Sequence, residues 1–219
     1  MSAKSKKKNT PFARQSERLD RYLTDISPER LPVMWEMEDE ARRSGFPIIG
    51  PIVGRFLYQM AMLTKAKRIL ELGSGFGYSA YWFALAGGSM SQITMTDTDR
   101  GNKKKATDYL SRAKLTSHFD FRVGNALAVL KKLDGPFDII LNDIDKKDYP
   151  KTIDLVAEKL KKGGLFITDN VIWSGRVLEK NQDDTTRAIV QFTQELYADS
   201  RFFTTILPIR DGIAVSIRR

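Results

Sequence analysis

The segment LNDIDKKDYP, residues 141–150, gathers charged side chains directly after the apolar run GPFDII. Such a run is typical of a buried strand, so Asp143, Asp145 and Lys146 are expected where that strand leaves the core. Carboxylates and a lysine at such a point can act as acid, base or cation ligands. A simpler interpretation is a surface salt-bridge cluster of Asp145, Lys146 and Asp148, which the spacing alone does not exclude.

A second polar pair, Asp169 and Asn170, follows the apolar run GLFIT. Together with Asp143 it supplies three hard oxygen donors, which favour Mg²⁺, Ca²⁺ or Mn²⁺ over zinc. The chain has no cysteine, and its single histidine, His118, is not close to these residues in the sequence. We therefore predict one divalent cation at these three residues, with Lys146 within reach of a hydroxyl held on that cation.

A regular alternation of strands and helices is expected to position these side chains. The first helix is predicted from Ser27, as N-cap before Pro28, to Gly45, and a second helix over 54–66. Strands and helices then alternate with short connections, which predicts a parallel sheet with helices on both faces. The predicted strands are 67–73, 91–97, 118–124, 136–143 and 164–170, and the helices between them are 78–88, 99–115, 125–133 and 149–164.

The C-terminal part of the chain departs from this alternation. After a predicted helix over 185–199, two β-rich runs, 202–209 and 212–219, are joined near Asp211-Gly212, which is typical of an antiparallel hairpin. The predicted fold class is therefore α/β, with a Rossmann-like, mostly parallel seven-stranded sheet that ends in an antiparallel C-terminal hairpin.

The carboxyl ends of the predicted strands are where an open α/β sheet binds ligands. Each parallel strand ends there in a carboxylate or amide, although helix capping would account for any one of them separately. These residues are Glu71, Asp97, Asn125, Asp143 with Asp145, and Asp169 with Asn170.

The turn after the first strand, ELGSGFG, allows the backbone to approach a ligand closely. It lacks the dinucleotide spacing G-x-G-x-x-G, because Tyr78 and Ala80 stand where that spacing needs glycine. Asp97, about twenty residues further on, suits hydrogen bonding to a ribose diol. The pattern predicts an adenosine-type cofactor without a pyrophosphate.

The composition indicates a globular protein with an uneven charge. Its 42% hydrophobic content can bury a sizeable core, and no apolar run approaches the roughly 20 residues of a membrane span. Residues 1–21 carry +5 of the net charge of +9. We interpret 1–26 as a basic, solvated tail with a short helix, or alternatively a polyanion-binding arm, and 27–219 as one domain. The lack of cysteine and of a secretory signal predicts a cytoplasmic protein.

From about Ile49 onward, the sequence resembles the metal-dependent S-adenosylmethionine O-methyltransferases, the family of the catechol and caffeoyl-CoA enzymes. Six segments carry the resemblance in order and spacing: ILELGSGFGYSA, TMTDTD, VGNAL, NDIDKKDY, TDNVIWSG and LPIRDGIAVSIRR. The helix-rich front, with MWEMEDEARRSGFPIIGP, is similar to bacterial members, some of which modify 5-hydroxyuridine at the wobble position of tRNA. The resemblance implies a class I methyltransferase fold, S-adenosylmethionine as methyl donor, and a homodimer.

The resemblance also implies roles for single residues. Asp143, Asp169 and Asn170 match the family's metal ligands, and Lys146 with Asp143 the catalytic pair. The implied cofactor-binding residues are Ile49, Glu71, Gly73, Ser74, Ser79, Asp97, Asn125, Ala126 and Asp145, of which Asn125 and Ala126 would flank the adenine.

Three positions depart from the family pattern. Ile144 replaces a small residue, Asn125 replaces a common aspartate, and Ser174 stands where plant enzymes place a substrate-binding asparagine. The first two are tolerable changes, whereas the third disfavours a plant-type acceptor.

We expect methyl transfer to the metal-bound hydroxyl of a small catechol- or phenol-like acceptor. The alternative acceptor is the 5-hydroxyuridine of tRNA, whose phosphates the basic tail would contact. A nucleotide-binding dehydrogenase fits the sheet but not the glycine spacing or the metal trio. A noncatalytic RNA-binding protein fits the tail but leaves the metal and lysine positions unexplained.

Overall fold

One seven-stranded sheet organises the computed structural model, which describes residues 11–115 and 117–219. The strand order is β3-β2-β1-β4-β5-β7-β6. Strands β1 to β5 are parallel, and β7 runs antiparallel to both β5 and β6. The predicted fold class is therefore confirmed. The strands are β1 Arg68–Leu72, β2 Gln92–Asp97, β3 His118–Val123, β4 Phe137–Asn142, β5 Leu160–Thr168, β6 Phe202–Leu207 and β7 Ile213–Arg218.

Helices cover both faces of this sheet, and each face has its own apolar core. The first core includes residues of α2, α3, α4 and α5, and the second includes residues of α6, α7 and α8. The helices are α1 Pro11–Asp25, α2 Pro32–Ser44, α3 Gly50–Thr64, α4 Tyr78–Gly87, α5 Arg100–Arg112, α6 Ala126–Lys132, α7 Thr152–Lys159 and α8 Asp184–Ala198, with short 3-10 helices at Gly88–Met90, Lys146–Lys151 and Trp173–Leu178.

The strand order places the reversal point of the sheet between β1 and β4. From β1 the chain proceeds outward through β2 and β3, whereas β4 and β5 lie on the other side of β1. The crevice beyond the carboxyl ends of these two central strands is where doubly wound sheets bind their ligands. Both ELGSGFG and NDIDKKDY begin at this crevice.

The predicted start of the first helix is wrong. Helix α2 begins at Pro32 with Leu31 as N-cap, and Ser27 instead donates its hydroxyl hydrogen to the Leu23 carbonyl at 2.6 Å, just after α1. Ser27-Pro28 and Leu31-Pro32 both place proline after a candidate cap, and the sequence does not reveal which one starts the helix. The predicted end is confirmed, because Gly45 closes α2 with a φ of +66°.

The boundary between α7 and β5 also differs from the prediction. The helix expected over 149–164 is a 3-10 turn followed by α7, which ends at Lys159, and β5 already begins at Leu160. A register shift opposite Phe137 and Ile139 lets this early part of β5 pair with β4. Gly163, with a φ of +76°, provides the local turn within the shift.

The predicted basic tail contains a 15-residue helix, α1. Phe12, Ser16 and Asp20 are half-buried at four-residue spacing, so one side of α1 rests on the domain. Arg14, Arg18 and Arg21 are exposed. The remaining basic residues of the tail, Lys4, Lys6, Lys7 and Lys8, lie outside the described residues. In the described part of the chain, no helix has the length and apolar character of a membrane span.

Candidate active site

The turn after β1 and the end of β4 touch through their backbones. The Asp143 N–H donates to the Leu72 carbonyl at 2.8 Å. Gly73 has a φ of +86°, and a Cβ on it would lie 2.5 Å from the Asp143 carbonyl oxygen. Only glycine fits this approach. The predicted cofactor turn and the predicted catalytic segment are thus neighbours in the structure.

Glu71 is fully buried beneath this turn. Burial raises the pKa of its carboxyl to about 7, while the nearby hydroxyls of Ser79 and Ser74 oppose that rise. Among the described residues, neither carboxylate oxygen has a partner with normal hydrogen-bond geometry. A buried acceptor without a donor is costly, so this carboxylate is suited to receive a donor or a positive charge from a ligand.

Asp97, at the end of β2, faces the same turn. One carboxylate oxygen accepts from the Gly75 N–H at 3.0 Å and the other from the Asp99 N–H at 2.8 Å. The turn is further fixed by Thr96, whose carbonyl accepts from the Ser74 N–H at 2.8 Å. Asp97 is therefore oriented beside the glycine turn, as a ribose-binding role requires.

The remaining predicted cofactor contacts are more dispersed. Ile49 is buried as the residue preceding α3. Asn125 is the N-cap of α6 and accepts from the Ala128 N–H at 3.0 Å, so it has a capping role whether or not it flanks an adenine with Ala126. Asp145 is exposed and caps the 3-10 turn by accepting from the Lys147 N–H at 3.1 Å.

Lys146 turns back into the site. Its Nζ lies 2.6 Å from a carboxylate oxygen of Asp143, and its side chain is 14% exposed. The same Nζ lies 5.4 Å from the ring centre of Tyr149 and 5.9 Å from that of Trp173. The surface cluster of Asp145, Lys146 and Asp148 does not form, because Asp148 pairs with Lys151 at 2.6 Å instead.

The charge on Lys146 is held firmly. Burial is the largest influence and lowers its pKa, but the interactions with Asp143, Tyr149 and Asp169 together outweigh burial, and the pKa is raised. Lys146 is thus an ammonium group that neutralises Asp143 in the protein alone.

Asp169 completes the acidic part of the site. Burial raises its pKa to about 7, the negative charge of Asp143 raises it further, and Lys146 and Arg210 oppose the shift. Asn170 donates its N–H to an Asp169 carboxylate oxygen at 2.8 Å and adopts a left-handed conformation with a φ of +61°. The Tyr149 hydroxyl donates to the Asp169 carbonyl at 2.9 Å.

These donors fit a divalent cation. Two carboxylates that repel each other in a buried crevice, next to an amide, form a set of hard oxygen ligands that a positive charge would stabilise. No group of three or more His, Cys, Asp or Glu with metal-binding geometry occurs in residues 11–115 and 117–219. The predicted trio contains two such residues and an amide.

Sequence reasoning missed two residues that build this site. Tyr149 falls within the quoted motif NDIDKKDY but had no assigned role, although it is buried and bonded to Asp169. Arg210, in the turn before β7, lies near Asp169 and contacts the loop before α3. Neither contact could be read from the sequence, because the chain separates the partners widely.

The seven-stranded sheet of this order, with its antiparallel hairpin and its glycine turn at the crevice, defines a class I methyltransferase fold. A sequence model of the O-methyltransferase family matches residues 25–219. The chain therefore belongs to the O-methyltransferase family and is an O-methyltransferase.

Curated relatives agree with this membership. The catechol O-methyltransferase of Niastella koreensis is 32% identical over 213 residues, which cover 92% of this chain and 96% of the relative. The caffeoyl-CoA O-methyltransferase of Eucalyptus gunnii is 30% identical over 221 residues, covering 93% and 88%.

Solved structures share the fold. A methyltransferase from Geobacter sulfurreducens has a TM-score of 0.78 at 27% identity, covering 93% of this chain and 98% of that one. The O-methyltransferase from Bacillus cereus in complex with SAH has a TM-score of 0.84, with 94% of this chain and 100% of that one covered. Its identity is 24%, so it bears on the fold alone.

Proposed function

We propose that the protein transfers a methyl group from S-adenosylmethionine to a hydroxyl of a small catechol- or phenol-like acceptor, with a divalent cation held by Asp143, Asp169 and Asn170. The observation that carries this proposal is the pair of mutually repelling carboxylates beside the glycine turn, the buried Asp169 and the half-buried Asp143. The names of the catechol and caffeoyl-CoA relatives support the acceptor class.

Different residues would bind the methyl donor and accept the proton of the acceptor hydroxyl. The donor molecule supplies an electrophilic methyl group, and the cation supplies positive charge that lowers the pKa of the acceptor hydroxyl. Glu71, Asp97 and the turn from Gly73 to Ser79 bind and orient the donor. A cation bound at Asp143 would disfavour the ammonium form of Lys146, so that its neutral amine could take the proton that the acceptor hydroxyl loses. Orientation of the acceptor oxygen toward the methyl carbon supplies much of the acceleration.

Trp173 would form a wall of the acceptor pocket. Its ring is half-buried and faces Lys146 across 5.9 Å. Ser174, beside it, is buried with a φ of +56°, and its N–H donates to the Asp211 carboxylate. A short, buried serine at this point leaves no side-chain amide for an acceptor, in keeping with an acceptor other than the plant type.

A second candidate acceptor is the 5-hydroxyuridine of tRNA. The observation that favours it is the position of α1, which packs against the Trp173–Leu178 turn beside the site and exposes three arginines. The same chemistry would then act on a hydroxyl presented by RNA. The homodimer that the resemblance implies and the cytoplasmic location expected from the sequence stay predictions.

Chelation tests the cation directly. A chelator is expected to abolish turnover of catechol while leaving the dissociation constant of S-adenosylhomocysteine, measured by calorimetry, nearly unchanged. Asp169→Ala should behave in the same way, whereas Asp148→Ala, which removes only a surface carboxylate, should not. Full activity of the thoroughly chelated enzyme, or of Asp169→Ala, would overturn the cation role.

A further inference from the structure

Arg210 adopts a backbone conformation that suits glycine. It lies in the turn between β6 and β7 with a φ of +50°. A residue with a Cβ is strained there, and glycine is not. Strain of this kind persists where the surrounding contacts require that particular side chain. The contacts of the Arg210 guanidinium therefore need an explanation beyond the geometry of the turn.

The guanidinium reaches the loop that precedes α3. Its Nη1 donates to the Ile48 carbonyl at 3.1 Å and also to the Ile49 carbonyl. It lies directly over Gly50, where a Cβ would stand 2.6 Å from Nη1. Gly50 itself has a φ of +72°, so the loop is shaped around the arginine.

The same residue also holds α1. Its Nε lies 3.4 Å from an Asp20 carboxylate oxygen, and its carbonyl accepts the Ser16 hydroxyl hydrogen at 2.8 Å. Ser16 and Asp20 are four residues apart and therefore share one side of α1. Phe12, one turn earlier, packs on Gly175, with its Cβ 3.2 Å from where a Cβ on Gly175 would stand.

We propose that Arg210 is a positioning residue that holds Ile49 against the cofactor site and couples that loop to the docking of α1. The same loop lies beside the glycine turn, because a Cβ on Gly75 would stand 2.8 Å from the Phe46 ring. The inference rests on the proposed function, since it takes the donor to bind at that turn and Ile49 to be the cofactor contact that the resemblance implies. Loss of the guanidinium would free two loop carbonyls and remove the ionic partner of Asp20 together. An acceptor that contacts α1 would then change the position of the loop that contains Ile49, because Arg210 contacts both elements.

Arg210→Gly separates this role from ordinary stabilisation. Glycine relieves the backbone strain, which offsets part of the stability lost with the guanidinium, so the melting temperature should fall only slightly. We expect the dissociation constant of S-adenosylhomocysteine to rise about tenfold, and KM for the cofactor to rise more than kcat falls. Hydrogen exchange should accelerate at residues 48–50 and in α1, and not across the sheet.

Two further variants act as controls. Lys65→Gly removes an exposed cation from another left-handed position, with a φ of +51° at the end of α3, and should affect neither binding nor local exchange. Arg210→Lys keeps the charge but not the forked donors, so it should restore binding only in part.

The outcomes distinguish the coupling from the proposed function. Unchanged binding and unchanged exchange in Arg210→Gly would overturn the positioning role, and so would a general loss of stability with exchange raised throughout. If the unaltered protein itself does not bind S-adenosylhomocysteine, the proposed function fails. The exchange of residues 48–50 and of α1 in Arg210→Gly still tests the coupling in that case.

Discussion

Lys146, which is partly buried, and Glu71, which is fully buried, are ionisable groups of the same crevice with different surroundings. Lys146 has a carboxylate partner at 2.6 Å, whereas Glu71 has no well-placed donor among the described residues. The pKa of each is raised, by the Asp143 charge acting against burial for the lysine and by burial for the glutamate. In the protein alone, the carboxylate of Asp143 therefore stabilises the protonated form of Lys146. Glu71 lacks a well-placed hydrogen-bond donor, which a ligand would supply.

Lys146→Ala is expected to lower kcat by about 10²–10⁴-fold, the usual contribution of general acid–base catalysis. Binding of S-adenosylhomocysteine should change little, because the lysine faces Asp143 and not the glycine turn. Lys147→Ala provides the matched control, since Lys147 is exposed and, among residues 11–115 and 117–219, only its backbone N–H is engaged, with Asp145. Equal losses in the two variants, measured by steady-state methyl transfer, would contradict a specific role for Lys146.

At the scale of elements, α8 supports the acidic side of the site. Its Phe192 packs edge-on against Tyr149 with ring centres 5.3 Å apart, and Tyr149 is bonded to the Asp169 carbonyl. The helix is capped by Asp183, which accepts from both the N–H and the hydroxyl of Thr186. These two hydrogen bonds, followed by the pairing with Arg176, lower the pKa of Asp183 to about 2.

The sign of this shift fixes its pH dependence. Because the folded-state pKa lies below the ordinary 3.8, the cap stabilises the protein above about pH 4, and that stability is lost as the pH falls toward 2. Asp183→Asn keeps a capping oxygen but not the charge. It should therefore lower the free energy of unfolding at pH 7 by about 1 kcal/mol, since the side chain is half exposed.

The difference in unfolding free energy between the wild type and Asp183→Asn, measured by urea denaturation, should vanish near pH 2. Asp184→Asn, which alters the exposed neighbouring carboxylate, should stay within about 0.5 kcal/mol of the wild type at pH 7. A difference for Asp183→Asn that does not depend on pH would contradict the ionic part of the cap.

The elements also show what the sequence could and could not predict. Periodicity and strand-end polarity predicted the sheet, its hairpin and the meeting of Asp143 with Asp169, because local pattern determines these features. The predicted start of the first helix at Ser27 was wrong, because two proline signals compete there. The predicted start of the fifth strand was wrong as well, because pairing with β4 from Leu160 onward overrides the helical preference of two lysines. Contacts such as Arg210 with Ile49 depend on tertiary packing across a long separation and carry no local signal.

At the scale of the whole molecule, the arginines of α1 lie on a different side of the helix from the residues that pack against the domain. Phe12, Ser16 and Asp20 face the domain, and Arg14, Arg18 and Arg21 face solvent. A small phenol needs only the crevice, so these arginines should not affect its methylation. A tRNA needs phosphate contacts, so the same arginines would contribute to its affinity and to its salt dependence.

Replacing Arg14, Arg18 and Arg21 together by glutamine tests which acceptor the protein uses. For a tRNA acceptor, affinity should fall, and the slope of log affinity against log salt concentration should decrease in magnitude by about 2–3, because up to three phosphate contacts are lost. Replacing Lys103, Lys131 and Lys132 by glutamine removes the same charge from exposed positions on α5 and α6 and provides the control. Catechol methylation should be unchanged in both variants.

The acceptor would be tRNA, and not a small molecule, if two results are found together. The protein methylates hydroxyuridine-bearing tRNA, and only the α1 variant weakens that reaction. The protein methylates no small phenol. No methylation of that tRNA at any salt concentration would remove the tRNA candidate.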